Sequence, residues 1–230
     1  MNITEKENTL FAKWEKLRPG FVKDGIVDEN CYIKSNPKLL FVLKEVNDIN
    51  GGGWDLRKFL RIGGRPQTWD NIVRWVHGIR NLDKEINWTS IEVIGSELRK
   101  EILTTVCVMN LKKSAGSCTT VNDELTEIAK KDKEYIVEQF CFYDPEIIIG
   151  CGSLPSELFK ELMGFKTNWK MTKRGIRFME FMNSKYLISY SHPEARVQDC
   201  LLYYGLIDAI KEIGVIHNAI VNPLSGEQKQ

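Results

Sequence analysis

The chain has no run of about 18 apolar residues within its 230, so no membrane-spanning helix and no membrane partner are expected. It also has no excess of either charge. The net charge is +1, so no global field draws it to nucleic acid and any basic surface must be local. Its six cysteines, at 31, 107, 118, 141, 151 and 200, include no Cys-x-x-Cys pair. That spacing excludes the usual zinc-ligand pattern and points to reduced thiols in a reducing cytoplasm rather than a disulfide framework. Residues 1–8, Met-Asn-Ile-Thr-Glu-Lys-Glu-Asn, are too polar for a signal peptide. Histidine is scarce, with three in the chain: His77, His192 and His217.

What is present fits a globular domain. The apolar fraction is 43%, and the length suits one large domain, expected over residues 1–221 with a disordered tail from 222 to 230. Helical spacing runs through 5–18 (Leu10, Phe11, Trp14, Leu17), 69–82, 91–103, 123–140, 153–163 and 197–213. Short apolar runs at 38–43, 105–109, 146–149 and 186–190 predict buried strands, and 165–182 predicts a hairpin. Strands alternating with helices predict an α/β fold, three layers α/β/α around a mostly parallel sheet.

In such sheets ligands bind at the carboxyl ends of the strands. Three strand ends carry chemistry here: Leu43-Lys44-Glu45-Val46-Asn47-Asp48, the stretch from Asn110 through Lys112 and Lys113, and Ser191-His192-Pro193. A carboxylate, an amide and an imidazole can then converge. Trp54, after Gly51-Gly52-Gly53, is a stacking platform or a core residue, with Phe59 its rival. Arg57, Lys58, Arg61, Arg65, Lys112 and Lys113 lie near these loops as phosphate ligands or as plain surface charge. Glu45, Asn47 and Asp48 are interchangeable as the group that positions water. Asn110 reads a planar ligand or closes a turn. His77 and His217 have no such context and are expected to be structural or exposed.

The three strand ends resemble the uracil-DNA glycosylase superfamily, in matching order across roughly residues 36–213. Residues 39–48, Leu-Leu-Phe-Val-Leu-Lys-Glu-Val-Asn-Asp, are similar to its first strand and water-activating loop, with Glu45 at the aspartate of Gly-Gln-Asp-Pro. Residues 106–110, Val-Cys-Val-Met-Asn, resemble the strand whose terminal asparagine recognises the base. Residues 192–196, His-Pro-Glu-Ala-Arg, resemble the His-Pro-Ser loop. There are departures: Leu43 and Val46 replace the first motif's glycine and proline, and Glu194 replaces the serine. The loop leucine that fills the vacated stack has no clear counterpart, Arg196 being the candidate for its place.

The resemblance implies hydrolysis of the N-glycosidic bond of a flipped-out base, uracil or a modified base such as a hypermodified cytosine of phage DNA, in repair or in defence. Glu45 would orient water, with Asn47 or Asp48 as alternatives. His192 would stabilise the departing base, Asn110 would read its edge, and Trp54 or Phe59 would stack on it. Lys112, Lys113, Arg57 and Arg196 would hold DNA. No cofactor, metal or iron–sulfur cluster is required, and a monomer is expected.

Two other readings compete. One is a non-catalytic DNA-binding module on the same fold. The other makes Cys151 a nucleophile with His192 as its base, although no full nucleophile-elbow motif surrounds it. Sharper motifs fail. Gly150-Cys151-Gly152 has Pro155 where a dinucleotide fingerprint has its third glycine, no phosphate-binding Gly-Lys-Ser/Thr loop exists, and no Pro-Cys-x-x-Cys follows His192-Pro193-Glu194.

Overall fold

The middle of the molecule is built from continuous apolar runs, as strands buried on both faces require. Leu39–Leu43 (β2) reads Leu-Leu-Phe-Val-Leu, and no residue in it is more than 6% exposed. The computed structural model describes residues 1–116 and 121–221, with side chains as far as residue 214. The tail expected from 222, Cys118 and the side chain of His217 lie outside the described residues.

Seven strands form one mixed sheet in the order β1-β3-β2-β4-β7-β6-β5. They are Gly25–Ile26 (β1), β2, Cys107–Asn110 (β3), Ile147–Cys151 (β4), Lys170–Met171 (β5), Arg177–Met182 (β6) and Lys185–Tyr190 (β7). The four central strands β3, β2, β4 and β7 are parallel, with Leu43 opposite Asn110 and Cys151 opposite Tyr190. Their carboxyl ends therefore share one edge of the sheet. Strands β1, β6 and β5 are antiparallel additions at the two sides.

Helices cover both faces. On one, Pro66–Ile79 (α4) and Asp199–Val221 (α9) pack Ile72, Trp75, Val76, Leu202, Tyr203 and Leu206 onto Phe41, Ile149 and Ile188. Trp75 is fully buried and donates its indole N–H to the Leu202 carbonyl at 3.1 Å. On the other face, Phe11 and Trp14 of Ile3–Trp14 (α1) share a core with Leu40, Val42, Met109 and Phe159. That face is completed by Asn122–Lys131 (α6), Lys133–Phe140 (α7) and Ser153–Met163 (α8). A capping box of Asn2 and Glu5 starts α1, and Pro66 occupies the first turn of α4.

The structure redraws several expected elements. The helix expected over 123–140 is two helices, broken at Asp132, whose buried carboxylate accepts from Arg18 Nε at 2.8 Å. The helix expected from 91 is Ser96–Leu103 (α5), which begins after the single turn Trp88–Ser90. Leu17 falls in a tight turn after α1 and is exposed. Strand β1 and the six-residue helices Glu29–Lys34 (α2) and Leu56–Arg61 (α3) were too short for periodicity to register. Among the described residues no helix is long and apolar enough to cross a membrane.

Candidate active site

The loop after β2 continues the parallel pairing beyond the strands. Leu111 and Lys112 donate backbone N–H bonds to Leu43 and Lys44 at 3.0 and 2.9 Å, and Gly116 donates to Val46 at 2.9 Å. This zipper lays the segment after β3 across the Glu45 side chain. A Cβ at Gly116 would overlap that carboxylate, so glycine is the residue that permits the approach. Lys112 Nζ stands 2.7 Å from Glu45 Oε2 and 2.8 Å from Glu124 Oε1, with the Glu45 side chain only 4% exposed. Glu45 thus lines the cavity as one half of an ion pair, not as a free base. Lys112, held between two carboxylates that lift its pKa against the effect of burial, is not a free phosphate ligand.

Asp48 is a loop latch. Its carboxylate accepts from the backbone N–H of Asn50 (2.9 Å) and Gly52 (3.1 Å) and from the Trp54 indole (2.7 Å). These bonds, the Asn50 amide foremost, hold its pKa below the usual carboxylate range. They also fix the Gly51-Gly52-Gly53 turn, all three at positive φ, and Gly52 lies against the Gly20 backbone where a side chain would clash. The latch orients Trp54, whose ring meets Phe59 edge-on at 5.7 Å. Asn47 stays exposed on the same loop.

Asn110, at the carboxyl end of β3, is only 3% exposed. Asp24 accepts from its backbone N–H at 2.7 Å and from its Nδ2 at 3.3 Å. The other Asp24 oxygen takes Lys113 Nζ at 2.6 Å and Gln139 Nε2 at 2.8 Å. The amide of Asn110 is therefore oriented from behind, by a carboxylate just before β1 that sequence reasoning did not single out. No motif marks Asp24; only the antiparallel pairing of β1 with β3 brings it there.

His192 follows β7. Its Nδ1 accepts the backbone N–H of Glu194 at 3.1 Å, so in the neutral ring the proton sits on Nε2. Burial pushes its pKa below 6.5; Lys44 and Arg65 push the same way, and Glu194 opposes them. The imidazole is thus held neutral, with one N–H to donate. The Glu194 carboxylate accepts from Arg65 Nη2 at 2.7 Å and from the Thr68 hydroxyl. Those contacts hold it below the usual carboxylate range despite partial burial.

These groups line one cavity of 440 Å³, at the edge where β2, β3 and β7 end. Of the residues singled out in the sequence, Glu45, Asn47, Asp48, Trp54, Phe59, Asn110 and His192 all line it. Leu43, Val46, Leu56, Trp69 and Val108 supply apolar wall, and Lys44, Arg65, Thr68 and Glu194 complete it. Strands β3 and β7 are three strand spacings apart, about 14 Å at ~4.8 Å each, so the floor is broad.

Other expectations need correction. Arg57 points away from any ligand surface: it is 8% exposed, with Glu7 at 2.7 Å and Asp55 at 2.8 Å. Lys113 is fully buried on Asp24, its ammonium 5.1 Å from the Trp14 ring centre. Both carry the right charge but face the core. Arg196, by contrast, keeps an exposed position, outside the cavity lining. Cys151 is 1% exposed and absent from the lining, and burial pushes its thiol pKa far up, both of which argue against the nucleophile reading. Among the described residues no three His, Cys, Asp or Glu side chains group as metal ligands do. Compared with known proteins, the chain matches no family model and no curated sequence.

Proposed function

We propose that this chain is a DNA glycosylase on a uracil-DNA glycosylase-like fold, hydrolysing the N-glycosidic bond of a flipped-out base to leave an abasic site. The observation that carries the reading is the convergence of Asn110 and a neutral, Nε2-protonated His192 on one cavity with aromatic walls. Expelling a base requires stabilising negative charge on an exocyclic oxygen or a ring nitrogen as the C1′–N bond breaks and its electrons move to the base. A fixed N–H donor does this without giving up a proton beforehand. Asn110, with Asp24 behind it, offers its remaining amide atoms to a base edge. Trp54 and Phe59 give the flat faces that an unstacked base needs.

Water completes the reaction by adding its oxygen to C1′, while its proton leaves to solvent or a carboxylate. The Glu45–Lys112–Glu124 cluster has two carboxylates and one ammonium, so it keeps a net negative charge beside the sugar. On this reading Glu45 acts through its field on the oxocarbenium-like sugar, and the exposed Asn47 orients the water. A cavity of 440 Å³ leaves room for a modified base and its sugar, so a hypermodified cytosine of phage DNA is as compatible as uracil. The proposed setting is the cytoplasm, in repair or defence.

The test is incubation with DNA carrying uracil, other deaminated bases or hypermodified cytosines. Released base is identified by mass spectrometry and abasic sites by alkaline cleavage. Release from at least one substrate, strongly slowed by His192→Ala and reduced by Glu45→Gln, is the expected result. DNA binding with no release from any of them favours instead a non-catalytic DNA-binding module, a reading to which the ion-paired state of Glu45 lends weight.

A further inference from the structure

The turn that carries His192 has little regular structure of its own, yet it is held by one helix at every third residue. Arg65, Thr68, Asn71 and Arg74 form an i, i+3 ridge that starts at the N-cap of α4 and slants across it. Arg65 and Thr68 take the Glu194 carboxylate. Asn71 Nδ2 donates to the Pro193 carbonyl at 2.8 Å and to Asp199 Oδ1 at 2.9 Å. Arg74 Nη1 donates to Asn71 Oδ1 at 2.7 Å and reaches Asp199 Oδ2 at 3.1 Å. Arg74 is fixed in turn by the carbonyls of Ile91 (2.9 Å) and Glu92 (2.6 Å) and lies over the Trp88 ring.

Three of these four polar residues are buried: Thr68 is 8% exposed, Asn71 4% and Arg74 5%. A helix–loop contact built for cohesion alone would use apolar side chains, because a buried polar group must find a partner or it destabilises. Here each bond is directional, and together they hold the turn at Pro193, Glu194 and Asp199. The path matters because the Glu194 backbone N–H is what fixes the His192 ring. If the Pro193 carbonyl or the Glu194 side chain shifts, that amide moves and the ring is free to turn.

We infer that the Arg65–Thr68–Asn71–Arg74 ridge of α4 is a positioning device: it sets the tautomer and orientation of His192 by clamping the Pro193–Glu194 turn and Asp199. The inference rests on the glycosylase reading for its functional meaning but not for its structural content. Thr68 and Asn71 are positioning residues: Asn71 holds the turn from outside the cavity lining, and Thr68, on the cavity wall, bonds Glu194 with its hydroxyl. The charged groups that face His192 are Glu194 on its own turn, Lys44 after β2 and Arg65 at the head of α4. Changing Thr68 or Asn71 removes none of these three charges, and the tautomer reads the geometry of the ring directly.

The test uses Thr68→Val, which removes only the hydroxyl from a similar volume, Asn71→Ala, and the conservative control Thr68→Ser. Side-chain nitrogen NMR reads the His192 tautomer and titration, assigned by difference with His192→Ala. Wild type is expected to show a single Nε2-protonated form. Thr68→Val and Asn71→Ala are expected to show mixed tautomers and a displaced titration, and Thr68→Ser to restore the wild-type pattern. In base release, kcat is expected to fall about 10- to 100-fold with KM nearly unchanged. Because Asn71→Ala also frees Asp199, thermal melting is run on each variant, and Thr68→Val carries the test if Asn71→Ala does not fold. An unchanged tautomer and titration in folded Thr68→Val overturns the positioning inference whether or not base is released. The NMR change without base release from any substrate keeps it and removes the glycosylase reading instead.

Discussion

His192 is defined by what surrounds each nitrogen. Nδ1 is occupied by the Glu194 amide, and burial disfavours a second proton, so the donor state is the neutral one. Base release is therefore expected to hold constant above neutral pH. It should fall on acidification, with an apparent pKa below 6.5, in a pH–rate profile. His192→Ala is expected to lower the rate about 100- to 1,000-fold, as removal of a fixed donor does elsewhere. The same shift works on stability. Between the depressed folded pKa and the unfolded 6.5 the unfolded chain binds more protons, so stability falls as pH drops through that window. Cys151 stands in contrast: Cys151→Ala is expected to leave base release unchanged in the same assay, since the thiol is buried outside the cavity. His192 was legible in the sequence because histidine is rare and this one follows a strand. Asp24 and Asn71 were not, because an aspartate in a loop and an asparagine within a helix carry no signal until their partners are in place.

At the scale of elements, two buried charge clusters join pieces distant in sequence. Asp24, Lys113 and Gln139 tie the segment before β1 to the end of β3 and to α7. Lys113→Ala leaves Asp24 without its counter-ion and is expected to cost about 3–5 kcal/mol in urea unfolding. It should also impair base release by loosening Asn110. Glu7 of α1 accepts from Arg57 of α3 and from the Ile26 amide of β1. Desolvation raises its pKa to about 7, against the lowering effect of Arg57. Because the folded pKa is the higher one, this group favours folding most below about 4.5, and that contribution is lost as pH rises through 7. Glu7→Gln is therefore expected to gain in melting temperature relative to wild type between pH 5 and pH 8. A difference independent of pH would show that Glu7 does not titrate there. Strands β2 and β4 and helix α8 declared themselves by long apolar runs or clear helical spacing. Asp132 split the helix expected over 123–140 because its carboxylate serves Arg18, a partner 114 residues away.

For the whole molecule, a net charge of +1 gives no long-range attraction to a phosphate backbone, and burial removes Arg57 and Lys113 from the expected contacts. DNA affinity is expected to show a shallow salt dependence. Arg196→Ala should reduce the slope of log K against log salt by about 0.9, as loss of one phosphate contact does, measured by fluorescence anisotropy across a salt series. An unchanged slope would remove Arg196 from the DNA surface. The sequence by itself determined the alternation of strands and helices, and so the parallel centre of the sheet and the edge where a site must lie. Those follow from apolar runs and helical spacing, which are local properties of the chain. It also marked Glu45, Asn110 and His192, because a strand end is visible from sequence. Only the tertiary structure decided which cations face the core, that Glu45 is paired with Lys112, and which nitrogen of His192 is free. Each of these depends on burial and on hydrogen-bond partners brought from far along the chain, and a side chain's type does not specify its partner.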